Sequence, residues 1–529
     1  MAANKNLNTD EVVGVYQETA CVRETARRFG VHRKTVQHHL RKKGIEGPIA
    51  GGSVKSMTSE QLALPESGVK RYILTCAQNN TRINKPFWNN LLALAVYYEA
   101  EVHVSRFTYN KNAFGKLSVK PGSEEHQDTL WYAPELNIYV SDESLEIAPG
   151  LVWCGEMNIL PTAVRPLSGL ETYTRRRSGI FPHVKVSMQS VASGRFQNTK
   201  FNYTTGTVTQ RNYIKKKEGL KAEFHHQYAA TLVEVDASGD WFVRQISSGP
   251  RGEIQDLNCL FQGGKLVRTD QDVEAIFWGD LHAANIDDNM EKLNWGDDGI
   301  AKTLKPKYQF INDGLDNAAI NPHKQKDPHE LFKNYANCQD SVQDELKDFI
   351  TLLIFIQESG GKIICSYGNH DDFLNRWLKW CDYRDDPKNA LLFLRIQLAY
   401  YEALDRGDSF NPVRWAMEHL QCPEDIKFLD VDDSYTICKD SIECGWHGHL
   451  GPNGSRGSAA SLHKIGRKLC IGHSHSACII EGLYQAGTSC AMDQGYNNGP
   501  SSWSHTHIII YPNGQRTLLT CWNGKWRGE

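Results

Sequence analysis

The sequence has no apolar run long enough to cross a bilayer. The longest, Phe349-Ile350-Thr351-Leu352-Leu353-Ile354-Phe355-Ile356, is well short of the ~18 residues required and reads as a core helix. The opening residues, Met1-Ala2-Ala3-Asn4-Lys5, hold no apolar signal segment, so neither a membrane partner nor secretion is expected. Net charge is nearly absent, 59 Lys and Arg against 62 Asp and Glu, so a charge-driven partner has to be met by a local patch. The 14 cysteines form no Cys-x-x-Cys pair and no short dense module, which excludes a four-cysteine zinc knuckle and a disulfide scaffold. Free thiols in a reducing cytoplasm are the expectation. Internal repeats and low-complexity tracts are also lacking. What remains is an ordinary globular composition, 40% hydrophobic and 23% charged over 529 residues, enough for two to four domains.

Breakers divide the chain. Residues 1–45 are basic and helical in pattern, and a linker over 46–69 carries Gly47-Pro48, Gly51-Gly52-Ser53 and Pro65-Glu66-Ser67-Gly68. In the first block, Thr9 or Asp10 is placed to cap a helix entering at Glu11. A second helix, Val22 to Phe29, stops at Gly30, and a third runs from about Arg33 to Lys42. Ala26, Val31, Val36 and Leu40 are spaced to close two helices around a tight turn. The run Arg23 to Val36 resembles the helix-turn-helix of resolvases and small regulators. Residues 1–43 hold nine Lys and Arg against four Asp and Glu, which suits phosphate contact. DNA is therefore the expected partner, with Arg33, Lys34, Thr35, His38 and Arg41 on the groove-facing helix. A three-helix unit used for protein contact is the plainer alternative.

Residues 70–270 read as an α/β middle domain. Tyr72–Cys76, a helix over Lys85–Ala100 and Glu101–Ser105 make a β-α-β unit. Leu151–Cys154, Ala230–Val235 and Trp241–Ile246 read as further strands, the last two as a hairpin. Arg175-Arg176-Arg177 and Lys215-Lys216-Lys217 are either the lining of a nucleic-acid groove or plain solvated surface.

Chemistry concentrates in residues 271–529. Five apolar runs each end in oxygen or imidazole donors. They are Ile276–His282 with Asp280 and His282, Phe310–Asp316 with Asp313, Lys362–Asp371 with Asn369, His370 and Asp371, Glu443–His449, and Lys468–His475 with His473 and His475. Donors on loops leaving a sheet are where a rigid scaffold can aim ligands at one spot. Period-two spacing would turn Asp280 and His282 to one side, and likewise His473 and His475. A mixed Asp/Asn/His set suits two hard-to-borderline divalent cations. Asp313 is the natural bridge, with Asp280, His282 and His475 on one cation and Asn369, His447 and His473 on the other.

The order of these pieces resembles the calcineurin-like metallophosphoesterases, whose pattern is Asp-x-His, Gly-Asp-x-x-Asp, Gly-Asn-His-Asp/Glu, His, then Gly-His-x-His. The resemblance spans about Val273 to Ile510, and it departs at Asn312, where the family has glycine. It implies an α/β fold in which a β-sandwich is flanked by helices. It implies two divalent ions, Mn²⁺ first and Mg²⁺, Fe²⁺ or Zn²⁺ as alternatives, held by Asp280, His282, Asp313, Asn369, His447, His473 and His475. It further implies a metal-bridging hydroxide as nucleophile and His370 as general acid oriented by Asp371. His447 is preferred to His449 as ligand because it directly follows its strand; His449 and Arg456, on a glycine-rich loop, are candidates for a substrate phosphate.

Asp313-Gly314-Leu315-Asp316 is similar to the form in the DNA-repair nuclease branch, the Mre-eleven and SbcD-like proteins. With a helix-turn-helix ahead of it, the chain looks like a phage-encoded DNase acting in the host cytoplasm. A manganese-dependent DNA nuclease is the leading expectation, with a homodimer expected from the family resemblance. A phosphoprotein or cyclic-nucleotide phosphatase with a DNA-binding arm, and a DNA-binding regulator with an inactive metal site, are the alternatives.

Overall fold

Small apolar residues at helical spacing suffice for the N-terminal unit, residues 1–59. In the computed structural model, which describes residues 7–19, 22–31, 33–43, 60–109, 131–195, 197–495 and 497–528, this unit is three helices. They span Thr9–Thr19, Val22–Phe29 and Arg33–Lys42 and close on Val12, Ala26, Val36 and Leu40, with Val31 packed against them. Gly30 takes φ 62° at the tight turn, a left-handed conformation that costs glycine little. The first helix is capped by neither Thr9 nor Asp10: Asn8 Oδ1 accepts from the Asp10 amide at 3.0 Å, one turn position earlier. Thr35 is half-buried and His38 exposed, whereas the side chains of Arg33, Lys34 and Arg41 lie outside the described residues.

The second unit, Glu60–Glu529, is mixed α/β. Its central sheet has six strands in the order Lys427–Phe428, Lys362–Cys365, Tyr308–Ile311, Ala275–Phe277, His505–Ile510, Arg516–Cys521. The first four are parallel and the last two antiparallel to their neighbours. Alternate residues divide between two cores. Ile276, Ile311, Ile363 and Ile509 pack on the helix Val342–Glu358 through Leu346, Phe349 and Leu353. Phe277, Phe310, Ile364 and Ile508 pack on Cys470, Ile479 and Tyr484 of a second, eleven-stranded sheet. A sheet covered on both faces accounts for the near-continuous apolar reading of its short strands.

That eleven-stranded sheet corrects the division into a middle and a C-terminal domain. Met188–Val191 pairs antiparallel with Cys478–Ile480, so strands from residues 144–204 continue into strands from residues 436–485. Tyr72, Leu74, Val233 and Val235 share the core of Phe277 and Ile510. Residues 70–270 are thus not a separate domain; the pairing bridges almost three hundred residues, which local breakers cannot reveal. The linker is likewise shorter than expected, because Glu60–Gln61 is already a strand beside Ser144–Ala148.

Within residues 70–270 the expected elements are present. Val69–Gln78 and Glu101–Phe107 are parallel around the helix Lys85–Tyr97, which Asn84 caps through the Phe87 amide. Ala229–Asp236 and Trp241–Ser247 form the hairpin. Arg177 pairs with Glu146 at 3.0 Å and Lys215 with Glu223 at 3.2 Å, so each basic run gives a cation to a neighbouring carboxylate.

Arg244 fixes the hairpin to the strand Ile254–Asp256. Fully buried, it donates to Glu234 at 2.7 Å and to both oxygens of Asp256 at 2.8 and 2.9 Å. Removing one partner of such a network leaves the others charged and out of water. Arg244→Ala is expected to lower unfolding stability by ~3–5 kcal/mol, read from urea denaturation midpoints; a loss below ~1 kcal/mol would contradict it.

Candidate metal centre

All five donor-bearing loops leave the same ends of their strands. Asp280 and His282 follow Ala275–Phe277, Asp313 follows Tyr308–Ile311, Asn369 and His370 follow Lys362–Cys365, His447 follows Ile442–Glu443, and His473 and His475 follow Lys468–Ile471. Period-two spacing is not what turns the pairs inward, because the strands have already ended. His282, Asp313, His473 and His475 instead take positive φ, 47°, 41°, 76° and 57°. Left-handed backbone is uncommon outside glycine, and four instances in one cluster mark conformations that the surrounding fold enforces.

Two glycines make room for the carboxylates. A Cβ at Gly368 would fall 1.8 Å from Asp313 Oδ1, and one at Gly472 would fall 2.1 Å from Asp280 Oδ1. Asn312, in the place of the family's glycine, is buried; it donates to the Trp278 carbonyl at 3.2 Å and accepts from Ser366 Oγ at 2.6 Å. It ties three of the strand ends together.

The expected ligands converge. Asp280, His282 and His475 bring donor atoms within 4.8 Å of one another, as do Asp280, Asp313 and His447. Asp313 Oδ2 lies 3.2 Å from His447 Nε2, and Asn369 Oδ1 lies 3.2 Å from His447 Nε2 and 2.9 Å from His473 Nδ1. The amide of His473 donates to Asp280 Oδ2 at 2.7 Å.

A divalent cation fits this donor set on two observations. The Nε2 atoms of His282 and His475 face each other at 3.1 Å, a spacing that a cation or a proton must mediate. Asp280 Oδ1, His447 Nδ1 and His475 Nδ1 are buried without a hydrogen-bond partner.

The charges respond to one another. Burial works against charge on His282, but Asp316, Asp313 and Asp280 outweigh it and push its imidazole up to about 9. Burial likewise opposes charge on His447, and Asp313 and Asp280 raise it to about 9. Asp313 is held well below the usual carboxylate range: burial alone would raise it, and His447 and His370 overcome that. His473 is pushed down to about 4 by burial and the neighbouring His447.

His370 is half-buried, its ring 4.8 Å from that of His282. The expected orienting role of Asp371 is not what the geometry gives. Asp371 Oδ2 accepts from the Gly368 amide at 2.7 Å, while His370 Nδ1 meets the Asp316 backbone carbonyl at 3.0 Å. Asp371 opens the helix Asp371–Trp380 and shapes the turn behind Asn369; burial pushes its carboxyl up to about 7.

Asp316 does more than sequence reasoning assigned it, because its Oδ1 also lies 3.0 Å from His282 Nδ1, the carboxylate–histidine arrangement that orients metal ligands. Glu345, which went unnoticed, holds the Asp316 turn: its carboxyl accepts the amides of Asp316, Asn317 and Ala318. Its place on an amphipathic helix gave no hint of burial. His449 adjoins the centre, its ring 5.4 Å from His447 and 6.2 Å from His473, with Nδ1 buried and unpartnered. Arg456 is exposed on its loop, its backbone bridged to Leu450, and is not among the residues gathered here.

Protein A1 of Escherichia phage T5 is 38% identical to this chain over 496 residues, which cover 92% of this chain and 87% of the phage protein. The chain belongs to the protein A1 family. No family model and no solved structure matches it.

Cations require neutral imidazoles, so binding must displace the protons that His282 and His447 carry below about 9. Mn²⁺ affinity is therefore expected to strengthen as pH rises from 6 toward 9, with proton release at neutral pH. Titration calorimetry in buffers of different ionisation enthalpy checks this; an enthalpy independent of buffer would contradict it.

Proposed function

We propose that the chain is a dinuclear-metal-dependent DNA nuclease with a metallophosphoesterase sandwich, hydrolysing phosphodiester bonds. The observation that carries the reading is the convergence of Asp280, His282, Asp313, Asn369, His447, His473 and His475 from five separate strand ends on one buried spot. Two carboxylates held out of water cost several kcal/mol unless positive charge, from imidazolium protons or from cations, compensates them.

When bound, two divalent cations supply positive charge to the phosphoryl oxygens and acidify water toward neutrality. The chain's own groups do the rest. Asp280, His282 and His475 would hold one cation, and Asn369, His447 and His473 the other, with Asp313 available to both. Asn369 is neutral, which leaves the centre positive enough to take a phosphodiester. His370, its Nδ1–H held by the Asp316 carbonyl, would serve as general acid in its doubly protonated form, giving the Nε2 proton to the leaving oxygen. The role thus rests on a backbone carbonyl that keeps the ring in place.

DNA is favoured over other phosphoesters by the N-terminal unit, whose three helices close on Val12, Ala26, Val36 and Leu40 and whose sequence resembles a helix-turn-helix, with nine Lys and Arg against four Asp and Glu over residues 1–43. Tethering such a module to a phosphoesterase raises the local concentration of duplex at the centre.

Purified protein with Mn²⁺ is expected to degrade plasmid and linear DNA, and His370→Ala to lose that activity by 10²–10⁴-fold while still binding metal. Hydrolysis confined to phosphomonoesters would favour the phosphatase, and metal binding without turnover the regulator. Asp313→Ala should lose both metal binding and turnover. Changing Arg33 and Lys34 together to Ala should weaken DNA binding and flatten its salt dependence, leaving hydrolysis of a small chromogenic diester unchanged. A parallel fall in the small-substrate rate would overturn the division of labour.

A further inference from the structure

The loop that carries Asp313 is gripped by one face of the helix Val342–Glu358. Glu345 and Phe349, one turn apart, meet it at successive points. Phe349 lies against Gly314, where a Cβ would fall 2.1 Å from the ring. Glu345 takes the next three residues. One of its carboxylate oxygens accepts the amides of Asp316, at 3.0 Å, and of Asn317; the other accepts the amide of Ala318 at 3.0 Å. Hydrogen bonds to an ionised acceptor are about twice as strong as neutral ones, so three on one carboxylate make a firm hold. The helix is itself anchored, with Leu346, Phe349 and Leu353 buried in the core behind the central sheet.

The three residues so held touch both working halves of the centre. Asp316 Oδ1 lies 3.0 Å from His282 Nδ1. The Asp316 carbonyl meets His370 Nδ1 at 3.0 Å. Asn317 Nδ2 donates to the His370 carbonyl at 2.8 Å, from a left-handed backbone with φ 51°. His282 is thus tied at its ring, and His370 at ring and backbone, to one short turn. A misplacement of ~1 Å at either histidine is enough to cost ~10²-fold in rate.

We propose that Glu345 is a positioning residue that sets a metal ligand and the proton donor together. By holding the amides of residues 316–318 it fixes the reach of His282 toward its cation and of His370 toward the leaving oxygen. Both roles are those of the nuclease reading above, on which this inference rests. Two separable effects follow: metal affinity through Asp316 and His282, and turnover through the Asp316 carbonyl, Asn317 and His370.

Glu345→Gln keeps the side chain's volume and sets an NH₂ donor against an amide that had an acceptor. The full-length protein and this variant are to be compared by Mn²⁺ titration calorimetry, by cleavage of a defined duplex oligonucleotide at saturating Mn²⁺, and by melting temperature without metal. The expected result is Mn²⁺ binding weakened ~10-fold and kcat lowered ~10-fold or more at unchanged KM, with melting retained. In a His370→Ala background, followed at enzyme excess, the affinity loss should persist while the further fall in turnover vanishes, because the proton donor being positioned is gone. A merely structural role gives the same fall with and without His370. Asn317→Gly keeps the left-handed turn and cuts only the tie to the His370 carbonyl, so turnover should fall and affinity stay. Unchanged Mn²⁺ affinity in Glu345→Gln, an equal fall in turnover in both backgrounds, or an affinity loss in Asn317→Gly would overturn the proposal. Weakened Mn²⁺ binding in a protein that cleaves no phosphodiester would overturn the nuclease reading and leave the effect of Glu345 on His282 standing. A protein that binds no Mn²⁺ would overturn both.

Discussion

Two carboxylates out of water, Asp280 and Asp313, are the constraint around which this molecule is organised. Each faces imidazole nitrogens at 3.2 Å, from His475 and His447 respectively, and each sits against a glycine that admits no side chain. An anion in such surroundings is tolerated only where positive charge meets it. The proton-loaded His282 and His447 meet that demand at neutral pH, and divalent cations can replace those protons. Proton and metal would compete for one set of atoms, so occupancy of the centre is expected to depend on pH as well as on metal concentration.

The sheet serves that constraint. Parallel strands of the two packed sheets bring their donor loops together, three from the six-stranded sheet and two from the eleven-stranded one. The left-handed backbone at His282, Asp313, His473 and His475 then aims side chains that the strands themselves do not. Behind them stands a row of supports: Asn312 across three strand ends, Asp316 on His282 and His370, and Glu345 on the amides of the Asp316 turn. A centre held this way is positioned before its ligands arrive.

The donor loops were legible in the sequence because each joins two local signals, an apolar run and a polar cluster at its end. The three N-terminal helices were legible for a similar reason, since their core is built from residues a few positions apart. What stayed hidden depends on distance or on burial that no local pattern encodes. The pairing of Met188–Val191 with Cys478–Ile480 joins remote segments through four- and three-residue strands, so the middle of the chain was read as a domain of its own. Glu345 looks like any solvent-facing glutamate on an amphipathic helix, and only the fold places it under the Asp316 turn. Asp371 differs for another reason: the resemblance implies that it orients His370, whereas the helix start turns its carboxylate back to Gly368.

The central claim, that five strand ends grip a pair of cations around Asp313, is tested most directly by anomalous diffraction from crystals grown with Mn²⁺, collected across the manganese edge. Two peaks roughly 3.5–4 Å apart are expected, one among Asp280, His282 and His475, the other among Asn369, His447 and His473, with Asp313 between. A single peak away from Asp313, or no peak at saturating Mn²⁺, would contradict it.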